Sequence, residues 1–304
     1  MPSRKLPKIS FIGTGAVGTR LALALSDKGY PIVSLVNRTG PPAIALARAV
    51  KCKKVSTSVS DASPLSDIIM IAVDDSSLGA VAKELSTVRS LKFKKLLFAH
   101  TSGIHTSEIL SPLEQKGALV ASMHPVQTFP KGKSSVKLKG MYFGIEGSPE
   151  AVSQLEQMIR SLDAHSVQIP PDLKPLYHIA CVFSSSYLVA ILNCINELSH
   201  QLNLKASWTE VFGPLMTSAM ENAIKSSAAN ALTGPVMRGD TETISMHLRA
   251  LAQHAPRFLP MYSVAGIEVG RLAAEHGKLT KQEYENIVTL FRQFIKSYPE
   301  TKDK

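Results

Sequence analysis

An α/β fold, in which a mainly parallel sheet precedes an all-helical half, is predicted for this 304-residue sequence. Three observations predict it. From residue 8 to about 170, short β-rich apolar runs alternate with helical patterns, which is the signature of βαβ units. A glycine-rich turn joins the first run to the first helical stretch. After the proline-broken segment IPPDLKP, at 169–175, no convincing strand follows.

The runs KISFIG, PIVSLVN, DIIMIAV, KLLFAH, ALVASMH, MYFGIEG and HSVQI read as strands. DIIMIAV is apolar throughout, as a strand covered on both faces must be, and reads as central. VGTRLALALSDKG and PEAVSQLEQMIRSLD read as helices between strands. Beyond the prolines, 172–204, 207–227, 242–254, 260–276 and 281–297 read as helices, the last opened by a capping box from Thr280 to Glu283. The first of these carries Ile179, Val182, Phe183, Tyr187, Leu188, Ile191, Ile195 and Leu198 over most of its circumference. That is more apolar surface than one core face needs, so it is either the central helix of its domain or a surface for a second subunit. Two domains are expected, 1–170 and 171–304, each large enough to bury a core.

Apolar residues make up 44% and charged residues 19%, an ordinary globular composition, and no uninterrupted apolar run approaches the roughly 18 residues of a membrane span. A soluble, cytoplasmic protein is expected, because MPSRKLPKIS leads straight into a strand without the apolar core of a secretory signal. Cys52, Cys181 and Cys194 form no C-x-x-C pair, and the last two lie in apolar helical sequence, so neither disulfides nor a metal site is expected. The formal net charge is +10, and residues 1–54 hold ten Lys or Arg against Asp27 alone. That asymmetry asks for an anionic partner near the N-terminal half, although Arg4, Lys5, Lys51, Lys53 and Lys54 also fit a solvated surface. Without aromatic interleaving or a recognition motif, nucleic acid is not the expected partner, nor is a membrane.

FIGTGAVGTRLALAL supplies Gly13, Gly15 and Gly18 in G-x-G-x-x-G spacing, directly after a strand and before a helix. In that context the first glycine permits the tight turn, the second lets backbone approach a pyrophosphate, and the third lets helix and strand pack closely. A Rossmann-type dinucleotide-binding domain follows. An acidic residue at the end of the second strand would accept the ribose hydroxyls of NAD and repel a 2′-phosphate. SLVNRTG places the uncharged Asn37 there, 19 residues beyond Gly18, followed by Arg38 and Thr39. A guanidinium can grip a 2′-phosphate, with the Thr39 hydroxyl and amides around Gly40 as further donors, so NADP(H) is the expected cofactor. The candidate contacts are Gly13, Thr14, Gly15, Ala16, Val17, Gly18, Asn37, Arg38, Thr39, Val73 and Thr101.

The glycine loop, HTSG at 100–103, SMHPVQTF at 122–129, KPLYHIA at 174–180, and LTGPVMRGD at 232–240 followed by His247 resemble the Rossmann-like proteins with a DUF2520 helical domain. The resemblance covers nearly the whole chain, and its specific part is LTGPVxRGD together with HPxQTF. That family is similar to the 6-phosphogluconate dehydrogenase-like group, which includes pyrroline-5-carboxylate, ketopantoate and β-hydroxyacid reductases or dehydrogenases. The resemblance implies an NADP-binding N-terminal domain, a dimerising helical domain and a reductase, with ketopantoate reduction the best hint of substrate. β-Hydroxyacid dehydrogenases carry Lys and Asn at i and i+4 in the corresponding helix. Lys174 therefore resembles their proton donor, and His178 replaces the Asn.

Read from the residues alone, Lys174 and His178 lie on one helix face and can reach one ligand, or else are a surface lysine and a core histidine. His124, before Pro125, follows a strand where α/β sheets bind ligands, or stiffens a turn. Thr101 and Ser102 can contact nicotinamide or substrate, or cap a helix beginning near His105. From a loop, Thr233, Arg238 and Asp240 are candidates for substrate binding, the arginine suiting a carboxylate; alternatively Asp240 caps the next helix and pairs with Arg238. His247 is a minor candidate. The expectation is an NADPH-dependent reductase of a small carbonyl or imine acid, acting as a homodimer. A non-catalytic NADP-binding sensor is the alternative, since a nucleotide-binding fold does not itself imply turnover.

Overall fold

The computed structural model describes residues 5–130 and 136–297, so Arg4 of the basic N-terminus lies outside the described residues. Contacts divide the chain into two compact units, residues 1–186 and 187–304.

The first unit is built on one eight-stranded sheet of order β3-β2-β1-β4-β5-β6-β7-β8. Its strands are β1 (Ile9–Ile12), β2 (Ile32–Val36), β3 (Val55–Ser56), β4 (Ile68–Ile71), β5 (Leu97–His100), β6 (Leu119–Pro125), β7 (Tyr142–Gly147) and β8 (His165–Gln168). Six strands run parallel; β7 pairs antiparallel to β6, and β8 is parallel to β7. All seven expected strands form. The two-residue β3 was not expected, because a run so short leaves no period to read.

β1, β4 and β5 are buried along their whole length, which is why their sequences are continuous apolar runs. Two apolar clusters form, one including Phe11, Leu21, Leu25 and Phe143, the other Ile69, Leu85 and Phe98. Helices α1 (Ala16–Asp27), α2 (Gly40–Ala49), α3 (Asp75–Ser86), α4 (Ser111–Glu114) and α5 (Pro149–Ser161) connect the strands. β1 lies between β2 and β4, so the direction of winding reverses there and a crevice opens at the carboxyl ends of these strands.

The prolines end the sheet as expected. A 3₁₀ turn at Pro171–Leu173 leads into α6 (Lys174–Val182), a π-helical turn at Phe183–Tyr187, and α7 (Leu188–Gln201). The predicted single helix is thus interrupted by one wide turn. Ser184 and Ser185 there donate their hydroxyls to the Ala180 and Cys181 carbonyls. Pro171–Gln201 has a mean hydropathy of 1.7 over its most apolar 18-residue window, enough by length and composition to cross a membrane. The expected absence of a long uninterrupted apolar run holds, since scattered Ser, Tyr and Asn break every run without lowering the average much. Its side chains are largely exposed, Leu176 at 60%, Phe183 at 62% and Val189 at 63%.

The second unit continues with α8 (Trp208–Lys225), α9 (Ala228–Ala231), α10 (Thr241–His254), α11 (Leu259–Glu275) and α12 (Lys281–Ser297). No strand occurs there among the described residues. Its core joins Ile244, Leu248, Ala273, Ile287 and Phe291, and Gly266 lets the Phe291 ring lie against α11 where any Cβ would collide.

Candidate functional site

The glycine loop is shaped by sterics. Gly13 has φ +95°, and a Cβ there would lie 2.2 Å from the Ala72 carbonyl oxygen, so only glycine fits. A Cβ on Gly18 would meet the Gly13 carbonyl oxygen at the same distance, so this glycine sets the approach of α1 to β1. Gly15 instead faces open space. It is the N-cap of α1, with no side-chain cap and no acidic residue in the first turn, so the free amides and positive end of the helix face outward.

A cleft of about 360 Å³ lies beside it, lined by Gly13, Gly15, Asn37, Arg38, Thr39 and Val73 among the expected residues, and by Thr57, Asp74 and Ser77 besides. Asn37 does a different job from the one its position suggests. Its Oδ1 accepts the Thr14 amide at 3.0 Å and its Nδ2 donates to the Thr39 carbonyl at 2.8 Å, tying the glycine loop to the turn after β2. Arg38 is exposed on the cleft, and no carboxylate pairs with it among the described residues. Pro41 and Pro42 open α2, so of the donors expected around Gly40 the next two N–H groups are missing. Of the remaining expected contacts, Thr14 is buried with its hydroxyl unpartnered, Val17 packs on the core, Ala16 is exposed beside Gly15, and the Thr101 amide donates to the Ile71 carbonyl. None of these four, nor Gly18, lines the cleft. The cleft fits a dinucleotide bearing an extra phosphate: a free helix end for the pyrophosphate, and an unpaired guanidinium where an acid would discriminate against that phosphate.

A second group of polar residues gathers from β5, β6, β7 and α6. Lys174 is 2% exposed and Glu146 5%, and their Nζ and Oε1 lie 2.9 Å apart. Ser107 donates to both Glu146 oxygens, from its amide at 2.7 Å and its hydroxyl at 2.8 Å. Burial lowers the Lys174 pKa, and the bond to Glu146 opposes that shift. Lys174 and His178 share a helix face as expected, yet the ammonium turns into this ion pair while the imidazole packs elsewhere.

His124 is half-buried at the end of β6, its Nδ1 2.7 Å from the Tyr177 hydroxyl. Its ring centroid lies 6.1 Å from that of His178. Burial, then the His178 and Lys174 charges, lower its pKa to about 4. Burial raises the Tyr177 pKa, so the phenol keeps its proton. Two glycines make room for this arrangement. A Cβ on Gly103 would stand 2.6 Å from His178 Cδ2 and 2.9 Å from His124 Nε2; one on Gly144 would stand 2.5 Å from the Tyr177 hydroxyl. The fully buried His100 accepts the Ser102 amide at Nδ1 and donates from Nε2 to the Thr106 carbonyl; burial lowers its pKa to about 3. The Ser102 hydroxyl accepts the Ile104 and His105 amides, capping the loop before a 3₁₀ turn at Ser107–Leu110. His100, Glu146 and Tyr177 were not singled out in the sequence; a lone Glu inside the apolar run MYFGIEG was the one available signal.

In the second unit, Thr233 and Arg238 are exposed. Asp240 caps α10, its Oδ1 accepting the Thr243 amide at 3.0 Å and its Oδ2 the Thr243 hydroxyl at 2.7 Å. Capping accounts for the bonds of this carboxylate. His247 Nδ1 lies 2.7 Å from the Tyr262 hydroxyl.

Residues 3–125 match the Rossmann-like domain, and residues 141–268 match DUF2520, a domain of unknown function. The chain joins a Rossmann-like domain to a DUF2520 domain. Among solved structures, it is similar to a candidate NADP oxidoreductase of Bacteroides fragilis, with 25% identity and a TM-score of 0.74 over 88% of this chain and 99% of that one. It is also similar to a pyrroline-5-carboxylate reductase of Coxiella burnetii, at 16% identity and a TM-score of 0.56 over 95% and 98% of the two chains. A reductive aminase of Aspergillus terreus in complex with NADPH matches at 16% identity and a TM-score of 0.57, over 96% and 94%. The last two likenesses concern the fold. The chain thus has the fold of NADP-dependent oxidoreductases.

Proposed function

We propose that this chain is an NADP(H)-dependent reductase of a small compound with a C=O or C=N group and a carboxylate. The observation that carries the reading is the unpaired Arg38 guanidinium on a glycine-loop cleft where Asn37 rather than an acid follows the second strand. When bound, the reduced dinucleotide supplies the hydride. The chain's own groups must hold the reacting group and provide the proton that neutralises the reduced atom. His178 and His124, against the Gly103 backbone, are assigned to that work. Lys174, whose ammonium is buried in an ion pair, is assigned to anchoring α6 and setting the local field. Within the second unit, Arg238, exposed after the LTGPVM segment, is the group suited to a carboxylate, with Thr233 in the same segment and Asp240 shaping the loop.

A homodimer formed through the exposed apolar surface of α6 and α7 belongs to the same reading, since Leu176, Phe183 and Val189 present more apolar area than a solvated helix carries. The named neighbours favour imines at least as much as carbonyls, and none of them favours a ketopantoate-like acid. The burial of Lys174 also suits the alternative of a non-catalytic NADP-binding sensor, because the residue resembling a proton donor is sequestered. Incubating the protein with NADPH and a panel of 2-oxo acids, ketopantoate among them, and cyclic imino acids separates the two. Sustained NADPH oxidation that disappears in His178→Ala supports the reductase; tight NADPH binding with no turnover supports the sensor.

A further inference from the structure

The reductase reading leaves open what His124 does, and its surroundings narrow the choice. Its two ring nitrogens have different environments. Nδ1 faces the Tyr177 hydroxyl at 2.7 Å. Nε2 lies on the side of Gly103 from which a Cβ would project, and no hydrogen-bond partner reaches it among the described residues. One nitrogen is engaged and the other is available.

Between a phenol and a neutral imidazole, the proton of the hydrogen bond belongs on oxygen. The phenol O–H is far more acidic than an imidazole N–H, and the imidazole lone pair is a better acceptor than the phenol oxygen. Tyr177 therefore donates to Nδ1, which leaves the ring's one proton on Nε2. The position of the phenol is fixed by backbone: Gly144 pairs with His124 across β6 and β7, and the absence of a Cβ there leaves the space that the hydroxyl fills.

We propose that Tyr177 is a positioning residue that locks His124 as the Nε2–H tautomer, making that N–H the hydrogen-bond donor to the acceptor atom of the substrate. The donor transfers no proton; it polarises the group being reduced, and the proton that neutralises the reduced atom falls to His178. This deepens the reductase reading and rests on it for the substrate, and it commits to a chemical class. A carbonyl oxygen or the lone pair of a neutral imine can accept from Nε2–H, whereas a protonated iminium nitrogen has no lone pair to offer. The groups that face the ring agree with an uncharged imidazole: His178 and Lys174 from α6 disfavour a second proton, and Asp75 from α3 supplies the opposing charge.

The test is the ¹⁵N–¹H long-range NMR spectrum of the full chain labelled at histidine, recorded between pH 5 and 8 and compared with Tyr177→Phe. The expected spectrum shows His124 with an unprotonated Nδ1 and a protonated Nε2 throughout this range, and a mixed tautomer population in Tyr177→Phe. A protonated Nδ1, a cationic ring at pH 6, or a Tyr177→Phe spectrum unchanged at His124 would each overturn the lock. The wild-type spectrum decides even if the variant does not fold. The donor role is read separately on whichever panel compound is turned over. His124→Gln, which retains an N–H, is expected to keep kcat/KM within about tenfold, and His124→Ala to lose about 10²-fold or more. Equal losses in both variants would remove the donor role. Absence of turnover on the whole panel would count against the reductase reading, while the NMR result would still decide the tautomer.

Discussion

Replacing Glu146 with Gln tests the buried half of the site. The substitution keeps the shape and an oxygen for the Ser107 amide, but removes the charge that Lys174 meets at 2.9 Å where both residues are almost inaccessible. Breaking a buried pair from one side typically costs about 3–5 kcal/mol, because the remaining charge has neither water nor partner. Lys174 can escape that cost by releasing its proton. From an unfolded-state pKa of about 10.4, the escape costs about 4.6 kcal/mol at pH 7 and about 1.9 kcal/mol at pH 9, at about 1.4 kcal/mol per pH unit. The sign follows from proton counting. In the variant the folded chain holds a neutral Lys174 and the unfolded chain a protonated one, so the unfolded state binds more protons and stability rises with pH. The expected loss relative to wild type is therefore about 3–4.5 kcal/mol at pH 7 and no more than about 2 kcal/mol at pH 9. Trp208, the single tryptophan, lies in the second unit, so the assay must report on the first. Urea-dependent amide exchange of peptides containing Ser107 and Lys174 does so. A loss under about 1 kcal/mol at both pH values, or one that does not shrink between them, would refute the reasoning.

Gly103→Ala forces a Cβ to within 2.6 Å of His178 and 2.9 Å of His124. Displacing these rings is expected to lower kcat/KM about 10²-fold with the NADPH Kd unchanged; full activity would contradict their assignment. Gly13→Ala combines φ +95° with a 2.2 Å collision on backbone, and is expected to cost at least about 1–3 kcal/mol and to weaken NADPH binding, both measurable by urea unfolding with and without cofactor. Asp240→Ala removes the α10 cap and should cost about 1 kcal/mol in the second unit, read by Trp208 fluorescence during urea unfolding.

The sheet was legible because its strands announce themselves. Ile68–Ile71 is apolar throughout because it is covered on both faces, and the glycine spacing between β1 and α1 reports a close backbone approach that sterics enforce. What escaped was whatever depends on partners remote in sequence. Glu146 meets Lys174 across 28 residues and Ser107 across 39, and Tyr177 meets His124 across 53, distances over which no local period carries information. The i,i+4 spacing of Lys174 and His178 correctly placed them on one face, but a shared face leaves the ends of long side chains free, and the buried carboxylate took the ammonium. Asn37 was noticed for the charge it lacks; its actual work, bracing Thr14 and Thr39, needs the loop in three dimensions.

The central claim is that Arg38 selects the phosphorylated cofactor, and calorimetric titration of the protein with NADPH and NADH, before and after Arg38→Ala, tests it most directly. A hydrogen-bonded pair with a charged group contributes about 1.5–3 kcal/mol, so NADPH should bind roughly 10- to 100-fold more tightly than NADH. In the variant, most of that preference should vanish while NADH affinity stays the same. Equal affinity of the wild type for both cofactors, or an undiminished preference without the guanidinium, would contradict the account.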